Sequence, residues 1–430
     1  MRPGARIAAA IEVLDAILNR YQPVAIALTD WGKSHRFAGS GDRNAIGHLV
    51  YDALRRRASI AWAMQSDAPR ALALGAASSA LGLTPEAVVA SCDGAGHAPA
   101  AVSEIEQSGL TRLLDAAPPH VRADVPEWLW PGFARAFGDR AVIEGASMAE
   151  RAPADLRVNT LKATREKVLK ALAGFGAEPG PYTATSVRIP PPLGAARTPN
   201  LQAEAAFQAG WFEIQDEGSQ IAVALAGAGP RMQVLDLCAG AGGKTLALAA
   251  MMQNTGQIYA YDSDKHQLKP IFERLKRAGA RNVQVLSPGD KAALDALGPR
   301  FDVVLVDAPC TGSGTWRRRP DAKWRLKPDA LAQRLGDQRE VLALAAKSVK
   351  PGGRLVYVTC SVLPEENGDQ IAAFLEKNSD FRNVAYAEAW RAACAGEPPV
   401  PVDATGHGLL LSPGSHGTDG FFIAVIERAA

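Results

Sequence analysis

The sequence predicts an α/β fold with a parallel sheet over residues 226–430, a small α+β unit over 125–225 and an all-helical region over 1–120. Three observations carry this. Apolar runs of strand length alternate with amphipathic stretches in the last part, the pattern of a parallel sheet covered on both faces. The glycine turn "AGAGG" follows the first of those runs directly. The opening residues instead repeat their apolar positions at helical spacing. A chain of 430 residues also exceeds a single core, and about 150 residues per domain suggests about three units.

In order along the chain, Ile7, Ile11, Leu14 and Leu18 form one helical stripe and Ile46, Leu49, Val50 and Leu54 another, the core faces of a small bundle. The second helix ends in "LRRR", Arg55 to Arg57, where cations suit the negative end of the helix dipole. "CDGAGHAPA" and "DAAPPHVRADVP" mark a boundary. "DLRVNTLK" then reads as a strand, "TREKVLKALAGFG" as a helix burying Val168, Leu169 and Leu172, and "TSVRIP" as a second strand, a βαβ-like unit. A proline-rich loop follows at Ile189 to Asn200, and "FQAGWFEIQDEGSQIAVALAGAG" leads into a helix. Beyond it "QVLDLC", "QIYAYD", "NVQVLS", "FDVVLVD" and "RLVYVTCS" are strands. Between the second and third of these lies a helix with Leu268, Ile271, Phe272 and Leu275 on one face, and "GLLLSPG" with "FFIAVIER" closes the chain as an antiparallel hairpin.

Composition leaves the function class open: 47% hydrophobic and 21% charged residues are ordinary for a globular protein. With a net charge of +2, any affinity for nucleic acid must come from local clusters of Lys and Arg. The five cysteines are scattered and odd in number, and the seven histidines show no ligand spacing, so neither a disulfide framework nor a metal site is expected. No apolar window is long enough to span a membrane and the start is too charged for a signal peptide. The expectation is a cytoplasmic monomer.

"VLDLCAGAGGKT" raises the question of which nucleotide-like molecule its turn holds. "GGKT" and the distant Asp307 suggest ATP, but a phosphate loop needs a glycine at position 238, which is Cys238. A dinucleotide fingerprint needs a third glycine at 245, which is Thr245. What does match is a tight turn through Gly240, Gly242 and Gly243 followed by Asp262, at the distance where a carboxylate meets ribose hydroxyls, as in NAD or S-adenosylmethionine.

The next strands decide between these ligands. Ligands of an open α/β sheet bind at the carboxyl ends of its strands. If "QVLDLC", "FDVVLVD" and "RLVYVTC" lie side by side, Cys310 and Cys360 face one crevice beside Asp307. Two thiols have no role in ATP hydrolysis. They have one in methylating carbon 5 of a cytosine, an inert carbon until a thiolate adds to carbon 6. One cysteine is then the nucleophile, the second assists its release, and a partly desolvated carboxyl, Asp307, donates to ring nitrogen 3.

"DLCAGAGGKT", "DAPCTGSGTWRRRPDAKWR", "YVTCSVLPEEN" and "TDGFFIA", preceded by "RVNTLK" and "QDEGSQ", resemble motifs of the bacterial Sun/Fmu (RsmB-like) RNA cytosine-5 methyltransferases, relatives of the Nop and NSun enzymes, over residues 155–425. The resemblance implies a Rossmann-like class I methyltransferase domain preceded by a NusB-like helical domain that binds RNA. It implies Cys360 as nucleophile, Cys310 as the residue aiding release, and S-adenosylmethionine as cofactor. The cofactor contacts it implies come from the turn Cys238, Ala239, Gly240, Ala241, Gly242, Gly243 and Lys244, and from Asp262, Asp290 and Asp307. Ala241 departs from the proline usual in the family and leaves the turn less restricted. Lys244 could cap the cofactor carboxylate or approach the substrate.

"GTWRRRPDAKWRLKP" interleaves Trp316 and Trp324 with Arg317, Arg318, Arg319, Lys323, Arg325 and Lys327, the mixture that single-stranded RNA demands. The target base must be unpaired or flipped out. Ribosomal RNA is the expected substrate and transfer RNA the variant. From another class, the chain could be an RNA-binding assembly factor with a vestigial catalytic fold, against which Asp307, Cys310 and Cys360 argue.

Overall fold

The computed structural model describes residues 1–191, 199–394, 396–400 and 405–430. The helical start is α1 (Pro3–Leu18), α2 (Val24–Ser34), α3 (Ser40–Arg55), α4 (Arg57–Met64) and α5 (Pro69–Leu81), with α1, α3 and α5 packed on one another. Ile7, Leu14, Ile46, Leu49, Val50 and Leu54 are buried in one apolar cluster, and Ile11 and Leu18 lie half-buried against it. Helices continue through Trp130–Phe137 and Ala141–Ser147 before the first strand, and Phe133 and Phe137 join the core of the large sheet.

The small unit has strands β1 (Ala154–Val158), β2 (Glu178–Pro179), β3 (Ser186–Ile189) and β4 (Phe212–Ile214) in the order β2-β3-β1-β4, all antiparallel. Val168 and Leu172 are buried beneath it and Leu169 is half-buried. Of the proline-rich loop expected at 189–200, residues 192–198 lie outside the described residues.

The large sheet contains β5 (Gln233–Asp236), β6 (Gln257–Ala260), β7 (Val283–Val285), β8 (Phe301–Asp307), β9 (Val349–Thr359), β10 (Phe381–Val384), β11 (Leu409–Leu411) and β12 (Phe421–Arg428). Its order is β10-β12-β9-β8-β5-β6-β7, parallel from β9 to β7, with β12 antiparallel to β9 and β11 paired to β12 as the expected closing hairpin. Separate apolar clusters cover its two faces. The helix after β6 differs from expectation. Pro270 divides it into Lys265–Leu268 and Ile271–Ala278, and Phe272 is 60% exposed, because proline interrupts the helical ladder and shifts the phase of the apolar face. Among the described residues no helix is long and apolar enough to cross a membrane.

Candidate active site

The turn after β5 is built by two left-handed glycines, Gly240 at φ 51° and Gly242 at φ 83°. A Cβ at Gly242 would lie 2.4 Å from Ile271 Cγ1, so the turn and the helix Ile271–Ala278 are in direct contact. Ala241 is not left free by the lack of a proline ring: Arg274 donates to its carbonyl at 2.8 Å, and Arg157 donates to the carbonyl of Gly243 at 2.7 Å. Asp262 lies two residues past β6, where one carboxylate oxygen accepts from the N–H of Gly240 and the other from that of Asp264, both at 2.8 Å. Asp290 is exposed and caps the helix Lys291–Asp295, accepting from Ala293 N at 2.9 Å. The Cys238 thiol is pushed well above the ordinary thiol range, first by burial and then by the carboxylates around it.

At the carboxyl ends of β8 and β9 the two thiols meet, with Cys310 Sγ and Cys360 Sγ 3.4 Å apart. The strands are in parallel register, Asp307 opposite Val358, so the loops leaving them run side by side. Cys360 is the first residue past its strand. The Cys310 thiol is held well above the usual range, chiefly by its hydrogen bond to the Cys360 sulfur and next by burial. Asp307, expected from sequence as a partly desolvated carboxyl, is held in an ion pair. Lys244 Nζ reaches its Oδ2 at 2.6 Å, which also shows which way Lys244 faces. β8 lies between β5 and β9, so this ion pair bridges the glycine turn and the thiols.

The segment expected to hold RNA is largely internal. Trp316 is 1% exposed and stacks on Phe133 with ring centres 6.3 Å apart. Arg317 and Arg318 each donate to Asp419 at 2.5 Å, and Arg318 also reaches Asp216 at 3.0 Å. Lys323 is buried, and the Trp324 indole N–H is bonded to Leu54 O. The expectation that Trp316, Arg317 and Lys323 meet RNA is therefore corrected, because their partners are buried carboxylates, carbonyls and rings of the same chain; Arg318, also expected at the RNA, is half-exposed and paired with Asp216 and Asp419. Arg319 and Arg325 do face solvent.

Residues 223–427 match the family model described as 16S rRNA methyltransferase RsmB/F, and residues 125–195 match that of the RsmF/B-like ferredoxin-like domain. Ribosomal RNA small subunit methyltransferase B of Salmonella arizonae is 34% identical over 329 residues, 76% of this chain and 71% of the relative. The protein of the same name from Sodalis glossinidius is 33% identical over 302 residues, 70% of this chain and 67% of the relative. The chain belongs to the RsmB/F family. A crystal structure of NSun6 from Pyrococcus horikoshii with SFG shares the fold, with TM-score 0.62 and 23% identity, over 71% of this chain and 98% of that one.

Three polar groups of this RsmB/F chain escaped the sequence reading. Glu366, fully buried, accepts from the N–H and hydroxyl of Thr311, from Gln338 Nε2 and from the Ser361 hydroxyl. It thereby ties the residue after Cys310 to the residue after Cys360. Asp236, at the end of β5, accepts from the Thr245 hydroxyl at 2.6 Å while its other oxygen has no partner among the described residues; burial pushes its carboxyl up to about 7. Asp216, with Asp419, forms the buried carboxylate pair beneath Arg317 and Arg318, and burial followed by the charge of Asp419 raises it to about 6. The one signal available was that all three lie inside the quoted motif blocks.

Proposed function

We propose that the chain is an S-adenosylmethionine-dependent methyltransferase acting on carbon 5 of an unpaired cytosine in small-subunit ribosomal RNA. The observation that carries this reading is the pair of thiols 3.4 Å apart at the ends of β8 and β9, next to the Lys244–Asp307 ion pair and the glycine turn. Family membership supports the methyl transfer and the ribosomal substrate.

The turn fits an adenosyl cofactor. Two left-handed glycines set the tight path of the turn, Gly242 letting the helix Ile271–Ala278 approach and Gly240 leaving open space, the helix Gly243–Met251 starts there, and each Asp262 oxygen accepts one backbone bond, leaving lone pairs for ribose hydroxyls. Residues 238–244 with Asp262 and Asp290 would hold it. When bound, it supplies a methyl group on a sulfonium.

Cys360, as thiolate, adds to carbon 6 of the cytosine. The ring's electron density moves toward nitrogen 3, where the Asp307–Lys244 pair can deliver a proton, and carbon 5 becomes nucleophilic. After methylation a water takes the carbon 5 proton to solvent, the bond from carbon 6 to Cys360 Sγ breaks with its electrons returning to sulfur as thiolate, nitrogen 3 gives its proton back to the Asp307–Lys244 pair, and the double bond re-forms. Cys310, 3.4 Å from the Cys360 sulfur and with its thiol held well above the usual range by that hydrogen bond and by burial, assists that release. Residues 1–120 and 125–225 would serve as RNA-contacting domains ahead of the catalytic domain 226–430, and Arg319 and Arg325 as phosphate contacts beside the site.

The roles separate in two variants. Cys360→Ala loses methylation and any covalent adduct, whereas Cys310→Ala accumulates a protein–RNA species that survives a denaturing gel. Reversed behaviour exchanges the roles, and undiminished transfer by Cys360→Ala overturns the chemistry. Bisulfite sequencing of total RNA from a deletion strain tests the substrate. One small-subunit cytosine loses protection; a loss confined to transfer RNA overturns the ribosomal assignment.

A further inference from the structure

Trp316, Arg317 and Lys323 of the segment Trp316–Arg325 turn inward, and the segment meets the C-terminal end of α3. The last carbonyls of a helix have no partner inside it. Here Leu54 O accepts from Trp324 Nε1 at 2.6 Å and Arg55 O from Lys323 Nζ at 2.9 Å. Arg55 answers in the other direction, donating from Nε to Arg317 O at 3.1 Å. Lys323 is 1% exposed, and its ammonium lies 4.9 and 5.7 Å from the ring centres of Trp324 and Trp316. The carboxylate nearest in effect is Asp124, itself buried and held by the N–H and hydroxyl of Ser59. A lysine enclosed in this way cannot reach a phosphate; its work is between domains.

Just before this segment the chain is fastened to the candidate nucleophile. Gly314 donates its N–H to the carbonyl of Cys360 at 2.9 Å and accepts from Gly420 N at 2.8 Å. The Ser313 and Ser361 hydroxyls are 2.8 Å apart, and Ser313 Oγ also accepts from Val362 N at 2.9 Å. A Cβ on Gly314 would lie 2.1 Å from Gly420 O, so the two backbones already touch and cannot slide past each other. A displacement of the segment against α3 is therefore passed to Cys360 and not absorbed, since packed interiors transmit strain.

We propose that Lys323 and Trp324, by capping α3, are positioning residues for Cys360, which makes the helical region part of the scaffold that sets the nucleophile and not solely a surface for RNA. The proposal rests on the cysteine chemistry of the preceding section. Its test uses the full chain with Lys323→Met and with Trp324→Phe. Three quantities are measured: single-turnover methyl transfer from labelled S-adenosylmethionine to ribosomal RNA, RNA affinity by filter binding, and the rate at which iodoacetamide alkylates Cys360 relative to Cys310. The expected result is transfer slowed about 10- to 100-fold, the range for a displaced reacting group, with RNA affinity unchanged and the alkylation ratio altered. Native transfer rates in folded variants overturn the proposal, as does a loss explained wholly by weaker RNA binding. If Lys323→Met does not fold, Trp324→Phe decides, because it keeps an aromatic six-membered ring at this position and deletes the pyrrole portion with its donor to Leu54 O. The alkylation ratio needs no RNA, so failure here is distinct from failure of the cytosine chemistry, which would show as methyl transfer by Cys360→Ala.

Discussion

Replacing Glu366 by glutamine removes one charge from a fully buried carboxylate without changing its shape. Glu366 accepts from Thr311 N at 2.8 Å and Gln338 Nε2 at 3.0 Å on one oxygen, and from the Thr311 and Ser361 hydroxyls at 2.5 Å each on the other. The carboxamide can keep its oxygen toward the two N–H donors and turn its amino group to the hydroxyls, which then accept instead of donating. Four charge-assisted bonds become four neutral ones. At roughly 1.5–3 kcal/mol for the charged kind against roughly 1 kcal/mol for the neutral, and with the relieved cost of burying a charge set against the loss, the net destabilisation is about 1–3 kcal/mol. Glu366→Ala strands the donors and costs about 4 kcal/mol. The catalytic consequence is separate. The carboxylate joins the residues following both cysteines, so Glu366→Gln lets the loops part and slows single-turnover methyl transfer by about 10- to 100-fold. Diamide oxidation provides a ruler: disulfide formation between Cys310 and Cys360, now 3.4 Å apart, becomes slower. A Glu366→Gln protein that is destabilised in urea yet transfers methyl at the native rate refutes the reasoning, since the carboxylate would then brace the fold without setting the thiols.

The folded Asp236 carboxyl keeps its proton up to about pH 7, while the unfolded chain releases it near its ordinary value of 3.8. The stability this proton contributes is full below the lower value and is lost as pH rises through the higher one. Asp236→Asn, permanently neutral, should therefore raise the unfolding free energy measured in urea more at pH 8 than at pH 5, by about 3 kcal/mol; equal effects at both pH values refute the assignment. Gly314→Ala places a Cβ 2.1 Å from Gly420 O, and overpacking of this kind costs about 1–3 kcal/mol. Methyl transfer should fall further than RNA affinity, and a native rate would show that the crossing of these backbones does not matter to Cys360. Arg319→Glu combined with Arg325→Glu should weaken RNA binding and flatten its salt dependence by about one in log–log slope per lost phosphate contact. An unchanged slope removes both residues from the interface.

The sequence by itself determined strands β5 to β9 and the closing hairpin, the adjacency of β5, β8 and β9, and the meeting of Cys310 with Cys360, while β10 and the helix Pro328–Ser348 went unread. These are legible because apolar periodicity is local and because a parallel sheet orders its ligand groups at one edge. Only the tertiary structure decided which way the cations of 317–325 face. Lys323 and Arg319 look alike as letters, yet one is buried against Arg55 O and the other lies in solvent. The difference comes from partners far away in the chain: Asp216, Asp419 and the end of α3. The same holds for Glu366, whose donors come from Thr311, Gln338 and Ser361. A buried polar group is stable only where non-local donors or acceptors converge on it, and that convergence is a property of three-dimensional packing that no local pattern of residues records.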